Sequence, residues 1–369
     1  MVDWTKKFKP EYDAAKAVIA KTETFDREWR PLLMRLQKLM GDEGFEAGQE
    51  EALSVLRSKV VAGTSQTKIS EDKGILQGAS AWTDADTGTL AAEAKKRAAA
   101  LKFLRHVYLL NKSGSRKLWI HSLPVEFTDW PSRQLDASAA TMGAAKTLLR
   151  SKKEHFSEQQ KRYLGNSTFE AVAWCQKAGI VLATAGAAAG SGPNPARTTA
   201  RDMVKRWFAE PGLAETTLDT YIATLSAGFK KLLAVLGKGH FVVTDWVPFR
   251  GATAADEIKF LNSEAFTFRN KSEGMDVVYI ESSFFATGGN VLSGQKNWTR
   301  IIVHELTHLV CGTTDVNNGN ARYAWYGIGP HAGYPGSDCV QNAENWAFFA
   351  ADCAGQLTDG ERAEALTII

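Results

Sequence analysis

The stretch His304-Glu-Leu-Thr-His308-Leu-Val-Cys-Gly-Thr-Thr-Asp315 sets two histidines four residues apart, follows them with a glycine and ends on an aspartate. In a helix, residues four apart sit one above the other, so His304 and His308 point at one spot. Ile302, Leu306 and Leu309 fall on another face and anchor the helix to a core. Asn297 or Thr299 provides an N-cap and Gly312 a stop, which predicts a helix running through Arg300 to Cys311. Two convergent imidazoles with Glu305 beside the first form an H-E-x-x-H pattern. In that chemistry a zinc ion lowers the pKa of a water and the carboxylate takes its proton.

A catalytic zinc takes three protein ligands and keeps one position open. Asp315 lies just beyond Gly312, and the Gly-Thr-Thr before it reads as a tight turn that brings the carboxylate back under the metal. Two other candidates stand beside it. Glu344, in Asn342-Ala-Glu-Asn-Trp-Ala-Phe-Phe349, serves if a second helix returns to the site, and His331 sits in a Gly/Pro loop, GIGPHAGYPG. His106, His121, His155 and His240 are isolated and read as ordinary surface or core histidines.

The rest of the composition narrows the setting. A chain of 369 residues, 44% hydrophobic and 23% charged, can bury a large core and has room for two domains. Lys+Arg 44 against Asp+Glu 41 leaves a net charge of +3 with no dominant basic run, which argues against a nucleic-acid partner. No apolar window approaches the roughly 20 residues of a membrane span. The N-terminal MVDWTKKFKPEYDAAK is charged and lacks an apolar h-region, so no Sec-type signal peptide is expected. Cys175, Cys311, Cys339 and Cys353 contain no C-x-x-C pair and read as buried thiols, with one disulfide near the motif as the alternative.

Along the chain, residues 25–40 and 90–110 carry apolar side chains at helical spacing, with a Gly/Ser/Thr/Asp-rich loop over 62–88. Lys117 to Trp130 alternates like a short strand pair, and a boundary near it separates a mostly helical N-terminal domain, 1–130, from a second domain, 131–369. Helices are expected over Phe169–Ala183 and Thr199–Glu210, then a long one capped by Thr217 with a core stripe of Leu218, Tyr221, Ile222, Leu225, Phe229, Leu232, Leu233 and Leu236. Two β-rich runs follow, His240–Val247 and Asp276–Phe285. The second is expected to be an edge strand that pairs with an extended peptide, with Tyr279 among its substrate-binding residues.

HELTH followed by GTTD resembles the aspzincins, the deuterolysin and peptidyl-Lys metalloendopeptidase group. The resemblance takes in Arg206-Trp-Phe208, Val277-Val-Tyr-Ile280 and the Asn342–Phe349 segment, over roughly residues 165 to 355. It implies an α+β, predominantly helical fold with a zincin-like domain, zinc held by His304, His308 and Asp315, and Glu305 as general base. The family carries a Tyr-Gly after the aspartate whose tyrosine stabilises the oxyanion. Here Asn318 stands in that place, so Tyr326, followed by Gly327, or else Tyr323 takes the role. In lysine-specific members, acids downstream face the substrate's ammonium; Glu344 matches one such position, and Ala347 stands where a second acid is expected.

The expected function is therefore zinc-dependent cleavage of protein or peptide substrates, with a preference for lysine through Glu344. Lack of a signal peptide adds the expectation of a toxin-like effector, exported by a dedicated secretion apparatus and restrained by a cognate inhibitor protein. Two rivals stand: a gluzincin-type hydrolase with Glu344 as third ligand, and a non-catalytic interaction or delivery protein whose HELTH is fortuitous. The intact Glu305 speaks against the second.

Overall fold

Ser157 and Gln160 cap each other: the Ser157 hydroxyl accepts from the Gln160 amide at 3.1 Å and the Gln160 side chain accepts from the Ser157 amide at 2.8 Å. This capping box starts helix α1 at Glu158, well before the expected Phe169, and α1 runs to Ala185. The computed structural model describes residues 118–121, 156–188, 190, 192–238, 241–245, 262–267, 276–286, 291–316 and 322–367. The expected helices over 25–40 and 90–110, the loop over 62–88, the boundary near 130, Asn318, His106, His155 and His240 lie outside the described residues. Described residues are predominantly helical with one small sheet, an α+β arrangement. None of their helices is long and apolar enough to cross a membrane.

The chain divides into two compact units. The first holds the sheet: β1 (Leu118–His121), β2 (Phe241–Thr244), β3 (Ala265–Phe266) and β4 (Asp276–Ile280), in the order β1-β2-β4-β3. β1, β2 and β4 pair in parallel, and β3 runs antiparallel to β4 through Ala265↔Ile280 and Phe266↔Tyr279. β4 therefore lies inside the sheet. Its Val277 to Ile280 are buried, as expected of a strand covered on both faces. The expected edge strand over 276–285 is corrected twice: β3 occupies the far side of Tyr279 and Ile280, and the chain turns into a 3-10 helix at Ser282–Phe285.

The second unit contains the helices. After α1 come α2 (Pro195–Phe208), α3 (Glu215–Lys238), α4 (Gly294–Cys311), α5 (Gly336–Gln341), α6 (Ala343–Cys353) and α7 (Asp359–Leu366). Asn194 caps α2 and Pro195 opens it with a pre-set φ. α4 starts a turn before the expected cap, and the added turn has work at the packing level: Gln295 donates to Ser167 at 2.8 Å and Thr299 to Glu170 at 2.7 Å, tying α4 to α1. Gly312, at φ 73°, ends α4 in the left-handed conformation that favours glycine. α4 packs against α1, α3 and α6, so residues 297–307 are buried on every side.

An aromatic seam joins α2, α3 and α6. Phe229 meets Trp346 at 5.3 Å and Phe349 at 5.9 Å, while Phe208 meets Phe349 edge-on at 5.3 Å. Each such pair adds about 1 kcal/mol beyond burial. Arg206-Trp207-Phe208 also feeds a buried polar hub. Asp352 accepts from the Arg206 guanidinium at 2.8 Å, the Trp207 indole at 2.9 Å and Arg362 at 2.9 Å, fastening α2 and α7 to α6. All four cysteines are free thiols.

α3 and α6 approach so closely that a Cβ on Gly228 would lie 2.3 Å from the Trp346 ring, which is itself buried. Alanine for glycine inside an ordinary helix stabilises by roughly 0.5–1 kcal/mol. Gly228→Ala should reverse that sign and cost about 1–3 kcal/mol through overpacking, read as a lower urea midpoint. An unchanged or raised midpoint would contradict the close approach.

Candidate metal centre

Helix α4 presents His304 and His308 from one face, their rings 4.7 Å apart and nearly perpendicular. The Nε2 atoms of the two rings are 3.0 Å apart. Beyond the Gly312 stop the chain doubles back, and Asp315 brings its Oδ1 to 3.1 Å from His304 Nε2 and 3.3 Å from His308 Nε2. The turn is pinned by backbone bridging: the Thr314 amide donates to Gln341 O at 2.8 Å and the Ala343 amide to Thr314 O at 3.0 Å.

The other nitrogen of each ring decides what these contacts mean. His308 Nδ1 lies 2.8 Å from the carbonyl oxygen of Thr313, which can only accept, so Nδ1 carries the proton and Nε2 is left with a lone pair. His304 Nδ1 lies 3.0 Å from a carboxylate oxygen of Glu344 and donates in the same way. Two imidazole lone pairs and a carboxylate oxygen thus face one point, an arrangement that only a cation or a captured proton relieves. At zinc–ligand bonds of about 2.0–2.2 Å, a tetrahedron has edges of about 3.3–3.6 Å, so separations of 3.0–3.3 Å fit a zinc with modest relaxation. His304, His308 and Asp315 are the residues that would hold it.

Glu305 is buried, and its carboxylate and the ligand atoms of both histidines lie within 4.8 Å of one another. Burial raises its pKa against the pull of the neighbouring imidazoles and Arg300. Burial also opposes charge on His304, yet Asp315 and Glu344 on its two nitrogens outweigh it and raise its pKa to about 10. Burial works against ionisation of Asp315 too, but His304 and His308 hold it far below the usual carboxylate range. Asp315 remains 40% exposed, which leaves one side of the site open to solvent.

Tyr323 belongs to the site. Its ring stacks on His304 at 6.0 Å and 15°, and on its far face Trp325 stacks at 4.6 Å. Its hydroxyl hydrogen-bonds Asp315, and burial, then the charges of Asp315, Glu344 and Glu305, drives its pKa well above that of a free phenol. Tyr326, the first expectation for the oxyanion donor, is 42% exposed, with its ring 5.8 Å from that of Trp325. The 3-10 turn Ala324–Tyr326 rotates it away from the histidines.

Two expected substrate-binding residues are also corrected. Tyr279 is buried and stacks on Phe266 at 5.3 Å, a core packing role. Glu344 has a side chain only 1% exposed, accepts from Arg300 at 2.8 Å and from the His304 ring, and takes the Ala324 amide at 3.4 Å on its other oxygen. Burial raises its pKa, but Arg300 and His304 overcome this and keep it below the usual range. As a third metal ligand it is on the wrong nitrogen: it meets Nδ1, while Nε2 faces His308 and Asp315. His331 accepts from the Gly333 amide at 3.1 Å in its own turn and is not among the converging groups.

The flanking asparagines hold the two loops of the site. Asn342 accepts from the Val316 amide at 3.2 Å, next to Asp315, and donates to Arg322 O at 3.0 Å, next to Tyr323. Asn345 donates to Trp207 O and Ile328 O, both at 2.9 Å, and accepts from Tyr334 at 2.6 Å. Arg300 was not anticipated as part of the site. Its signal was a charged residue one turn before His304 on a helix otherwise apolar there, Ile301-Ile-Val303.

The HExxH helix buried in a bundle, the two tautomer-locked imidazoles and the returning aspartate form a site that could hold a zinc ion. Residues 194–351, from the α2 cap into α6, match the family model described as lysine-specific metallo-endopeptidase, and over that span, a little under half of the chain, the sequence is similar to the aspzincins, a family of zinc metalloendopeptidases. No curated protein matches the chain.

Metal affinity should carry the signature of the captured proton. Without metal, His304 keeps an extra proton up to about pH 10, and a binding cation must displace it. Lower pH favours that proton, so zinc affinity should fall about tenfold per unit between pH 9 and 7, read by chelator competition. A flat profile over that window would contradict it.

Proposed function

We propose that the chain is an endopeptidase in which His304, His308 and Asp315 bind zinc, Glu305 is the general base and Tyr323 steadies the oxyanion. The observation that carries this is the approach of two Nε2 atoms and one carboxylate oxygen to within 3.0–3.3 Å while both Nδ1 atoms are committed to acceptors. When bound, zinc supplies Lewis acidity toward the scissile carbonyl and toward the attacking water. Glu305, made more basic by burial, takes the proton of that water and hands it to the leaving amine, as a single carboxylate can in both steps. Tyr323 has an O–H beside Asp315, where an oxyanion would accept it, and its raised pKa keeps it protonated as a donor. The partly exposed Asp315 side is where a peptide would enter.

The test combines metal content by mass spectrometry with cleavage of an unfolded protein. One zinc per chain is expected in the wild type and in Glu305→Gln, with kcat down about 10²–10⁴-fold in the variant. Asp315→Ala should lose the metal. Zinc retained by Asp315→Ala, or a Glu305→Gln enzyme of full activity, would sink the assignment, and a wild type without zinc would favour the non-catalytic rival.

We also propose that the peptidase acts as a toxin-like effector, with a secretion apparatus and a cognate inhibitor as partners. The matched span leaves residues 1–193 outside it, enough chain to recruit a substrate or serve delivery. Expression in the bacterial cytoplasm and periplasm beside Glu305→Ala should slow growth only with the intact glutamate. Equal growth of all cultures would count against it.

A further inference from the structure

Glu344 stands where lysine-specific relatives of this fold are described as facing a substrate ammonium, yet nothing about it is free. One carboxylate oxygen takes both Arg300 Nη1, at 2.8 Å, and His304 Nδ1, at 3.0 Å; the other takes the Ala324 amide at 3.4 Å. Arg300 is fixed in turn, its Nε donating to Asn297 Oδ1 at 2.9 Å. The side chains of Arg300 and Glu344 are 3% and 1% exposed. A lysine approaching Glu344 would find its charge already balanced by a guanidinium, and no solvent path to the carboxylate. To take over, it would have to break a buried ion pair, which is among the costlier changes inside a protein. The second acid expected nearby is absent, since Ala347 is a buried apolar contact.

What the carboxylate does instead follows from its partners. It lies on the ring nitrogen turned away from the metal position, so it fixes the tautomer and the plane of His304. Its other oxygen holds the backbone of the loop whose Tyr323 stacks on the opposite side of the same ring. Arg300, one turn earlier on α4, supplies the counter-charge that lets an ionised carboxylate stay in the bundle.

We propose that Glu344 is a positioning residue for the metal-binding histidine, with Arg300 as its buried counter-ion, and that this carboxylate consequently does not select lysine in the substrate. This rests on the zinc-peptidase reading above. A carboxylate behind a ligating histidine typically affects metal affinity by about 10–100-fold. The charge-balanced pair also makes a distinctive rescue available, because Arg300→Met with Glu344→Gln removes both charges and keeps an acceptor on His304 Nδ1.

Two readouts on the full-length zinc enzyme test this. The first compares substrates: for matched peptides with Lys, Leu or Ala after the scissile bond, the ratios of kcat/KM should agree within about tenfold between the wild type and Glu344→Gln, since the Glu344 carboxylate does not discriminate. A preference for lysine above about 100-fold, lost in Glu344→Gln, would overturn the proposal while leaving the peptidase reading intact. The second is zinc affinity by chelator competition. Glu344→Ala should weaken it about 10–100-fold, and the Arg300→Met/Glu344→Gln pair should recover most of that loss. Unchanged affinity in a folded Glu344→Ala protein would overturn the positioning role. A wild type that binds no zinc would remove the peptidase reading itself, so the two failures are told apart by the wild-type metal measurement.

Discussion

The centre depends on what sits behind each imidazole. A histidine on a helix can turn about its side-chain bonds and can carry its proton on either nitrogen, so spacing alone does not make a ligand pair. Here a backbone carbonyl, from Thr313, and a buried carboxylate, from Glu344, accept from the two Nδ1 atoms and settle both questions. Those acceptors come from the turn after α4 and from α6, which makes the geometry of the site a property of the tertiary packing. Asn342 serves the same end from the start of α6, because one side chain binds the loop next to Asp315 and the loop next to Tyr323.

Much of this was legible before any coordinates. The offset between His304 and His308, the Gly312 stop and the short turn to Asp315 are local signals, and local signals survive without knowledge of the fold. The stripe on α3 was readable for the same reason: six of its apolar positions, from Leu218 to Leu236, are buried. Thr217, however, lies inside the first turn and does not cap it, because the helix opens at Glu215. What failed was whatever needed a partner distant in sequence. β4 looks like an edge strand until the two residues of β3 are found beside it, and Tyr279 looks available until Phe266 covers it. Tyr326 is followed by the expected glycine, but a 3-10 turn decides which tyrosine faces inward, and it favours Tyr323. Glu344 was read as near the site, but its counter-ion was not legible, since Arg300 lies 44 residues earlier on another helix.

A second consequence of the packing concerns cost. Helix α4 is buried over residues 297–307, so it can afford few polar groups, and those around the histidines are bonded inside the bundle, while the Trp298 indole N–H has no partner among the described residues. The Thr307 hydroxyl donates to His304 O and meets the Thr313 hydroxyl, both at 2.7 Å, stitching the helix to the turn that carries Asp315. A helix held this way moves little, which suits a site whose three converging atoms must keep their separations when a cation arrives.

Charge balance gives the arrangement its logic. Three carboxylates, Asp315, Glu305 and Glu344, surround two imidazoles, and Arg300 is the one guanidinium bonded among them. With neutral imidazoles the cluster carries two net negative charges, an unfavourable state in a mostly buried site, and this is why the metal-free centre captures a proton on His304. A divalent cation brings the cluster to neutrality. Without Arg300 the same ion would leave it negative, and the excess charge would blunt the metal's pull on a carbonyl oxygen and on water. Arg300 thus permits Glu344 to be ionised for the sake of His304's orientation without that charge reaching the reaction. The same pair balances the charge of Glu344 inside the bundle, so orientation of His304 and burial of the acid are two effects of one ion pair.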